Sequence, residues 1–141
     1  MLSPRLAATI KRETGSVRVF NVHLDTRITQ QQRMSQIEPV IQKAKASSTP
    51  AVVGGDFNTA NIRWIANVVP VPYGQNHTAA LRTLFRAGAF ESPLDGRSGT
   101  FHVLWIPLRL DWIFQKGLRT VASGVDDIPF SDHEAVWVSL R

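Results

Sequence analysis

The segment Val17–Leu24, VRVFNVHL, constrains the fold more than any other stretch of this 141-residue chain. Apolar residues occupy both alternating faces of this strand-like segment: Val17 and Val19 on one, and Phe20, Val22 and Leu24 on the other. A strand that is apolar on both faces is typical of a sheet covered on both sides. The segment therefore predicts a layered fold rather than a single exposed sheet.

Strand-like and helix-like patterns alternate at first, and strands then follow one another. The predicted elements are strands Ala7–Glu13 and Val17–Leu24, a helix from Thr29 to Lys45, strand Ala51–Gly54, a helix from Thr78 to Ala87, and strands Thr100–Leu104, Arg109–Gln115, Leu118–Gly124 and Glu134–Leu140. Thr29 and Gln32 fit a capping box, and Pro39 predicts a kink or a helix start nearby. Gly88 should end the second helix, and residues 61–76 read as irregular because prolines and a glycine interrupt them. This order predicts an α+β domain with helices on one face of a mostly antiparallel sheet.

Charge and composition narrow the class of partner. Apolar residues make up 43% of the chain and charged residues 19%, which is typical of a globular domain. The net charge of +5 favours nucleic acid or an anionic lipid surface, weighed against a basic protein with no such partner. The lack of cysteine excludes disulfides and thiolate metal sites. No stretch is apolar enough to span a bilayer or to form a signal peptide, so a cytoplasmic location is the default expectation.

An apolar run ends in Gly54 and Gly55, and these are followed by Asp56, Phe57 and Asn58. In an extended chain the side chains of Asp56 and Asn58 project to the same side, while Phe57 can anchor in the core. A carboxylate beside a carboxamide suits a hard cation and a phosphate, and the glycines allow close backbone approach. The simpler interpretation is a glycine turn with an Asx cap, and for this stretch alone it is the better one.

Asp111 interrupts the apolar strand LRLDWIF, where a buried acid is costly unless it is paired. One candidate partner is an arginine, either Arg109 or Arg119. The other is a histidine whose orientation and charge the acid would support.

Two further polar positions lie next to predicted strands. Asp132 and His133 directly precede the last strand, where they form either a solvated turn or a catalytic pair at a strand mouth. His23 lies at the end of VRVFNVHL, and a single strand histidine is more often a hydrogen-bonded core residue than a catalytic one. Each signal is weak when taken separately.

Taken together and in order, five motifs resemble one known family. NVHLD, GGDFN, TF, RLDWIF and SDHEAV, which begin at residues 21, 54, 100, 109 and 131, are similar to motifs in the C-terminal half of the endonuclease/exonuclease/phosphatase superfamily. The match runs from about Leu6 to Arg141. The resemblance implies half of a four-layer αββα sandwich, and hydrolysis of a phosphate ester, usually a phosphodiester, with Mg²⁺ or Mn²⁺.

The resemblance also implies roles for particular residues. The catalytic set is His23, Asp56, Asn58, Asp111 and His133, and the metal-side set is Asp132, Asp56 and Asn58. In this scheme His133 lies beside the scissile phosphate and is polarised by Asp111, while Asp56 positions or deprotonates the attacking water. A metal, a protonated histidine and amide donors would offset the charge that develops on the phosphoryl oxygens.

The resemblance covers only part of the family's domain. Residues 1–141 are expected to form a single partial domain that lacks the N-terminal half and the glutamate that is the family's principal metal ligand. The chain's own glutamates, at positions 13, 38, 91 and 134, do not occupy that context. A fragment, a truncated gene product and a half-sized relative that dimerises all fit this pattern. An open apolar sheet face, covered by a second copy or by the missing half, is therefore expected.

Two functions remain in competition at this point. The first is a metal-dependent phosphodiesterase that acts on nucleic acid rather than on phospholipid or inositol phosphate. The second is a non-catalytic module that binds an anion or a partner on the same scaffold. The retained histidines and acids favour the first, and the absent glutamate predicts weak metal affinity and low turnover.

Overall fold

The computed structural model describes residues 5–60, 62–65, 69–72, 77–94, 99–103 and 106–141. Its elements are β1 (Arg5–Arg12), β2 (Gly15–His23), α1 (Gln30–Lys45), β3 (Ala51–Asp56), β4 (Ile62–Ile65), β5 (Val69–Pro72), α2 (His77–Ala87), β6 (Phe101–Val103), β7 (Ile106–Leu108), β8 (Asp111–Lys116), β9 (Thr120–Asp126) and β10 (Ala135–Leu140). This content confirms the predicted α+β class. Among these residues, neither helix has the length and apolar character needed to cross a membrane.

The central sheet has four strands in the order β1-β2-β3-β8. β1 and β8 run antiparallel to their neighbours, whereas β2 and β3 are parallel. The remaining strands form three antiparallel pairs: β4 with β5, β6 with β7, and β9 with β10. The sheet is therefore mostly antiparallel. Its one parallel pair places the carboxyl ends of β2 and β3 side by side at the same end of the sheet.

Both helices pack on one face of the central sheet. Strand residues and helix residues share the core on this face. The sheet contributes Phe20, Val22, Leu24, Val53, Trp112 and Phe114. The helices contribute Ile37 and Ile41 from α1, and Leu81 and Phe85 from α2. All of these side chains are at most 4% exposed. Burial of large apolar side chains at roughly 1.5–3 kcal/mol each makes this cluster the main source of stability. The Phe20, Val22 and Leu24 face of VRVFNVHL is thus the face that the helices cover.

The opposite face of the sheet is only partly covered. In the register of β1 with β2, Ala8 lies opposite Val19 and Ile10 opposite Val17, so these residues share a face. Ile10 and Leu6, which lies two residues before Ala8, are 51% and 69% exposed. The sheet therefore presents exposed apolar side chains on the face that the helices do not cover.

Local signals predicted α1 well. Thr29 caps it: the Thr29 side chain accepts from the Gln32 backbone N–H, and the Gln32 side chain accepts from the Thr29 N–H. The helix begins at Gln30 and passes through Pro39, so Pro39 does not mark a helix start.

Two other local predictions are corrected. α2 begins at His77, one residue before the predicted cap, and the Thr78 hydroxyl donates to the Thr59 carbonyl at 3.4 Å instead of capping the helix. The segment 61–76, predicted to be irregular, contains the hairpin of β4 and β5, in which Pro70 and Pro72 lie opposite Trp64 and Ile62. Prolines are tolerated in such a two-stranded pair, where each strand has a free edge.

The remaining strands differ from prediction mainly in their ends. β7 was not predicted as a separate strand, and the predicted end of the Thr100–Leu104 strand lies outside the described residues. The predicted strands Arg109–Gln115 and Leu118–Gly124 each begin and end later than expected, as β8 and β9. Strand ends are set by pairing partners, which local sequence does not specify.

Candidate active site

Three neighbouring strands place His23, Asp56 and Asp111 side by side. In the ladder of β2 with β3, His23 is opposite Asp56, and in the ladder of β3 with β8, Asp56 is opposite Asp111. The three residues lie on the sheet face away from the helices, since their neighbours Phe57 and Trp112 face the core. The polar residues therefore cluster at one end of that face.

Of the two glycines before Asp56, only Gly55 occupies a position that requires glycine. Its φ of +135° is a conformation that side chains rarely adopt, and a Cβ there would lie 2.0 Å from the Val22 carbonyl oxygen. A Cβ at Gly54 would make only ordinary contacts, the nearest at 3.5 Å from Ile113. Gly55 thus allows β2 and β3 to approach closely where their polar ends meet.

Asn58 completes the turn that follows Asp56. Its φ is +50°, which asparagine tolerates better than most residues, and its backbone N–H donates to Asp56 Oδ1 at 2.8 Å. Its side-chain amide nitrogen donates to the Leu24 carbonyl at 2.8 Å. The turn that simple Asx capping predicts is present, and it also fixes Asn58 against the end of β2.

His133 pairs with Asp111, as predicted for the functional alternative. His133 Nδ1 lies 2.8 Å from Asp111 Oδ2. A backbone bridge joins His133 to Phe101, whose ring centroid is 4.9 Å from the imidazole centroid. The hairpin of β6 and β7 therefore holds the loop that carries His133 against the start of β8.

Thr100 is a site residue whose role the sequence did not reveal. It is 1% exposed, and its Oγ1 accepts from the backbone N–H groups of Leu110 at 3.1 Å and Asp111 at 3.0 Å. Its hydroxyl proton goes to Asp111 Oδ2 at 2.8 Å. The motif TF marked this position, but only the fold shows that Thr100 orients the acid that pairs with His133.

The central group consists of Asp56, Asp111 and His133, whose potential ligand atoms all lie within 4.8 Å of one another. The pKa of the Asp56 carboxyl is raised, mainly by burial and further by the charge of Asp111. The hydrogen bond from Asn58 and the charges of His133 and His23 lower this pKa, but they only partly oppose the rise. Burial alone would lower the pKa of the His133 imidazole, but the hydrogen bond and charge of Asp111, with the charges of Asp56 and Asp132, raise it above its ordinary value. Two carboxylates facing each other across a ladder destabilise a sheet unless a positive charge lies between them.

The other predicted site residues lie further out. His23 Nε2 is 3.7 Å from Asp56 Oδ2, and the His23 side chain is 65% exposed. Asp132 is exposed and is not part of the group within 4.8 Å, although its charge acts on His133. Asp25, next to this region, pairs with Arg27 at 3.6 Å. The structure thus brings four of the six predicted residues into one cluster, in the pairs His23–Asp56 and Asp111–His133. It bonds Asn58 to Asp56 and leaves Asp132 exposed outside the cluster.

The donor atoms of this site fit a hard divalent cation. Asp56 and Asp111 offer carboxylate oxygens, which hard divalent cations prefer as ligands, while cation-binding thiols are excluded. The carboxylates of Asp56 and Asp111 lie opposite each other, and a bound cation would relieve the repulsion between them.

The family assignment follows from sequence comparison. The family model of the endonuclease/exonuclease/phosphatase family matches residues 3–133, so the chain belongs to that family. A comparison with curated proteins gave no significant match.

Solved structures share the fold over nearly the whole chain. The endonuclease/exonuclease/phosphatase from Beutenbergia cavernae DSM 12333 aligns with a TM-score of 0.75 and 22% identity, covering 99% of this chain and 39% of that one. The endonuclease domain of TRAS1, a telomere-specific non-LTR retrotransposon, aligns with a TM-score of 0.69 and 15% identity, covering 97% and 63%. An AP endonuclease from Archaeoglobus fulgidus aligns with a TM-score of 0.66 and 18% identity, covering 95% and 64%. These identities establish the fold alone, and the chain spans less than two thirds of each relative.

Proposed function

We propose that this chain carries the catalytic histidine–aspartate half of a divalent-metal-dependent phosphoesterase, with phosphodiesters as the substrate class. The observation that carries the proposal is the group of Asp56, Asp111 and His133 within 4.8 Å, at one end of three adjacent strands. Perturbed titratable groups in such a cluster are characteristic of catalytic sites.

His133 is the proposed donor to the substrate phosphate. An ionised Asp111 can only accept, so the short contact assigns the proton to His133 Nδ1 and leaves Nε2 to face the phosphoryl oxygens. The raised pKa of His133 keeps more of the imidazole protonated near neutral pH. A protonated imidazole fixed by Asp111 and Thr100 can offset charge on the phosphate or give its proton to the leaving oxygen.

Asp56 is the proposed base toward the attacking water. Its raised pKa makes the carboxylate more basic than an ordinary aspartate, and the hydrogen bond from Asn58 to Oδ1 fixes its orientation. Asp56 lies at the end of β3 and His133 in the loop before β10, so separate elements supply the base and the acid. This is the division of acid and base roles that in-line attack on a phosphodiester needs.

Mg²⁺ or Mn²⁺ is the proposed cation, held by Asp56 with Asn58 and Asp132 as candidate outer ligands. When bound, such an ion polarises the phosphate and neutralises charge in the transition state. The amide nitrogen of Asn58 is already engaged with the Leu24 carbonyl, so its oxygen is the atom that can serve this role.

Nucleic acid is the favoured substrate, and a companion half is proposed for the sheet. The net charge of +5 favours a polyanion, and two of the structural neighbours named above are described as endonucleases. We also propose that the chain corresponds to the C-terminal half of the family's domain, and that either an N-terminal half or a second copy covers the open sheet face.

Hydrolysis of bis-p-nitrophenyl phosphate and of plasmid DNA, with Mg²⁺ and with EDTA, tests the proposed activity. The assay is run on the chain alone and with a separately supplied N-terminal half from a full-length relative. His133→Ala should lower the rate by about 10²–10⁴-fold, the usual contribution of a general acid or base. His102→Ala is the matched control, because His102 pairs with Glu134 at 3.2 Å instead of with Asp111 and should keep most of the activity. Activity that resists EDTA, or that is unchanged in His133→Ala, would refute the mechanism.

A further inference from the structure

The side chain of Phe130 is fully exposed, and its backbone conformation is unfavourable for a bulky residue. Its relative exposure is 110%, against 41–69% for the other large exposed apolar side chains in the described part of the chain. Its φ is +66°, and left-handed conformations are costly for bulky residues. Neither property stabilises the folded chain.

A tight turn holds Phe130 in this position. The Ser131 N–H donates to the Ile128 carbonyl at 3.1 Å, so Ile128, Pro129, Phe130 and Ser131 form a four-residue turn. Proline at the second position and positive φ at the third are the features of a type II turn. Glycine or asparagine is the preferred third residue, so stability alone would not select phenylalanine there.

The turn is connected rigidly to His133. The His133 N–H donates to Ser131 Oγ at 3.1 Å, and His133 itself is held by Asp111. Phe130 is three residues from His133, which limits the distance between their Cα atoms to about 11 Å. The turn that carries Phe130 is therefore close to the loop residue that the proposed function places against the phosphate.

We propose that Phe130 is a stacking platform for an unpaired nucleobase next to the phosphate that His133 faces, an inference that rests on the proposed phosphodiesterase function. An aromatic ring offers a base an apolar face, and stacking of this kind tolerates any base. A lipid surface is the competing occupant. Exposed Asp126, Asp127 and Asp132 flank the turn in sequence and would repel anionic headgroups. They would also repel phosphates at the turn itself, so the contact proposed here is with the uncharged face of a base.

Binding of short oligonucleotides separates base stacking from phosphate binding. The probes are a fluorescent single-stranded DNA octamer with phosphorothioate linkages, which resist hydrolysis, and the same backbone built from abasic units; both are titrated with Mg²⁺ present. Phe130→Gly should weaken binding of the DNA octamer about 5- to 150-fold, the range expected for loss of one base–aromatic stack. It should leave binding of the abasic backbone unchanged. Phe130→Trp should retain binding of the DNA octamer.

Two controls exclude a structural explanation. Phe130→Gly should not lower Tm, because glycine suits the positive φ. Val121→Ser removes another exposed apolar side chain, 58% exposed on β9, and should leave affinity for both probes unchanged.

The outcomes distinguish this inference from the proposed function. Equal affinity of Phe130→Gly and the unaltered chain for the DNA octamer, or absence of binding, overturns the stacking site even if phosphodiesters are hydrolysed. Loss of binding to phosphatidylcholine vesicles in Phe130→Gly, with unchanged binding to DNA, would replace the base with a lipid. Base-dependent binding through Phe130, with no hydrolysis of plasmid DNA even when the N-terminal half is supplied, would support the stacking site while refuting the proposed catalysis.

Discussion

Thr100 shows how much of the site depends on a single hydroxyl group. It accepts from two backbone N–H groups and donates to Asp111 Oδ2, so it fixes both the start of β8 and the orientation of the acid. Thr100→Val keeps the shape and removes these bonds. We expect a loss of about 1–3 kcal/mol in the free energy of unfolding, the usual cost of leaving a buried polar group unpaired. Denaturant unfolding measures this loss.

Thr100→Ser is the matched control, because serine keeps the oxygen and loses only a methyl group. It should restore most of the stability and of any metal-dependent hydrolysis. If Thr100→Val were as stable and as active as the unaltered chain, Thr100 would have no role in orienting Asp111.

Among the secondary-structure elements, the parallel pair of β2 and β3 holds the two strands whose ends carry His23 and Asp56. Gly55 lies opposite Val22 in this pair and leaves no room for a side chain, because a Cβ there would lie 2.0 Å from the Val22 carbonyl oxygen. Gly55→Ala should lower the free energy of unfolding by about 3 kcal/mol or more, since both the positive φ and the backbone contact oppose a side chain. Chemical denaturation with circular dichroism checks the value.

Gly54→Ala is the neighbouring control on β3. A Cβ at Gly54 meets only ordinary contacts, so stability should be unchanged or raised by about 0.4–1 kcal/mol. Equal losses in the two variants would show that the glycine pair serves strand conformation in general rather than close approach at Gly55.

The distance along the chain between interacting residues explains which elements the sequence could predict. The capping box of α1 depends on Thr29 and Gln32, which are three residues apart, so local pattern was sufficient. The alignment of His23, Asp56 and Asp111 depends on two strand registers between distant segments, which local pattern does not contain. Only the resemblance to a family linked those residues in advance. The hairpin of β4 and β5 was missed because its prolines were interpreted as breakers, although they lie in a two-stranded pair.

At the scale of the whole molecule, the site and the exposed apolar residues share one sheet face. His23, Asp56 and Asp111 lie at its end, and Leu6 and Ile10 lie on β1 at its edge. A partner that covers this face would therefore also border the site. The chain spans 39% of the length of its relative from Beutenbergia cavernae.

The exposed face predicts self-association of the isolated chain. Sedimentation velocity should show dimers or larger species whose fraction rises with protein concentration, because burial of exposed Leu6 and Ile10 at a contact is favourable by roughly 25 cal/mol per Å² of apolar surface. Leu6→Glu combined with Ile10→Glu should shift the population to monomer. Thr9→Glu is the control, since Thr9 is exposed on the other face of β1 and should leave association unchanged. If the unaltered chain were a compact monomer at all concentrations and the double variant behaved identically, this face would need no cover. Leu6 and Ile10 would then not form a contact between copies of the chain.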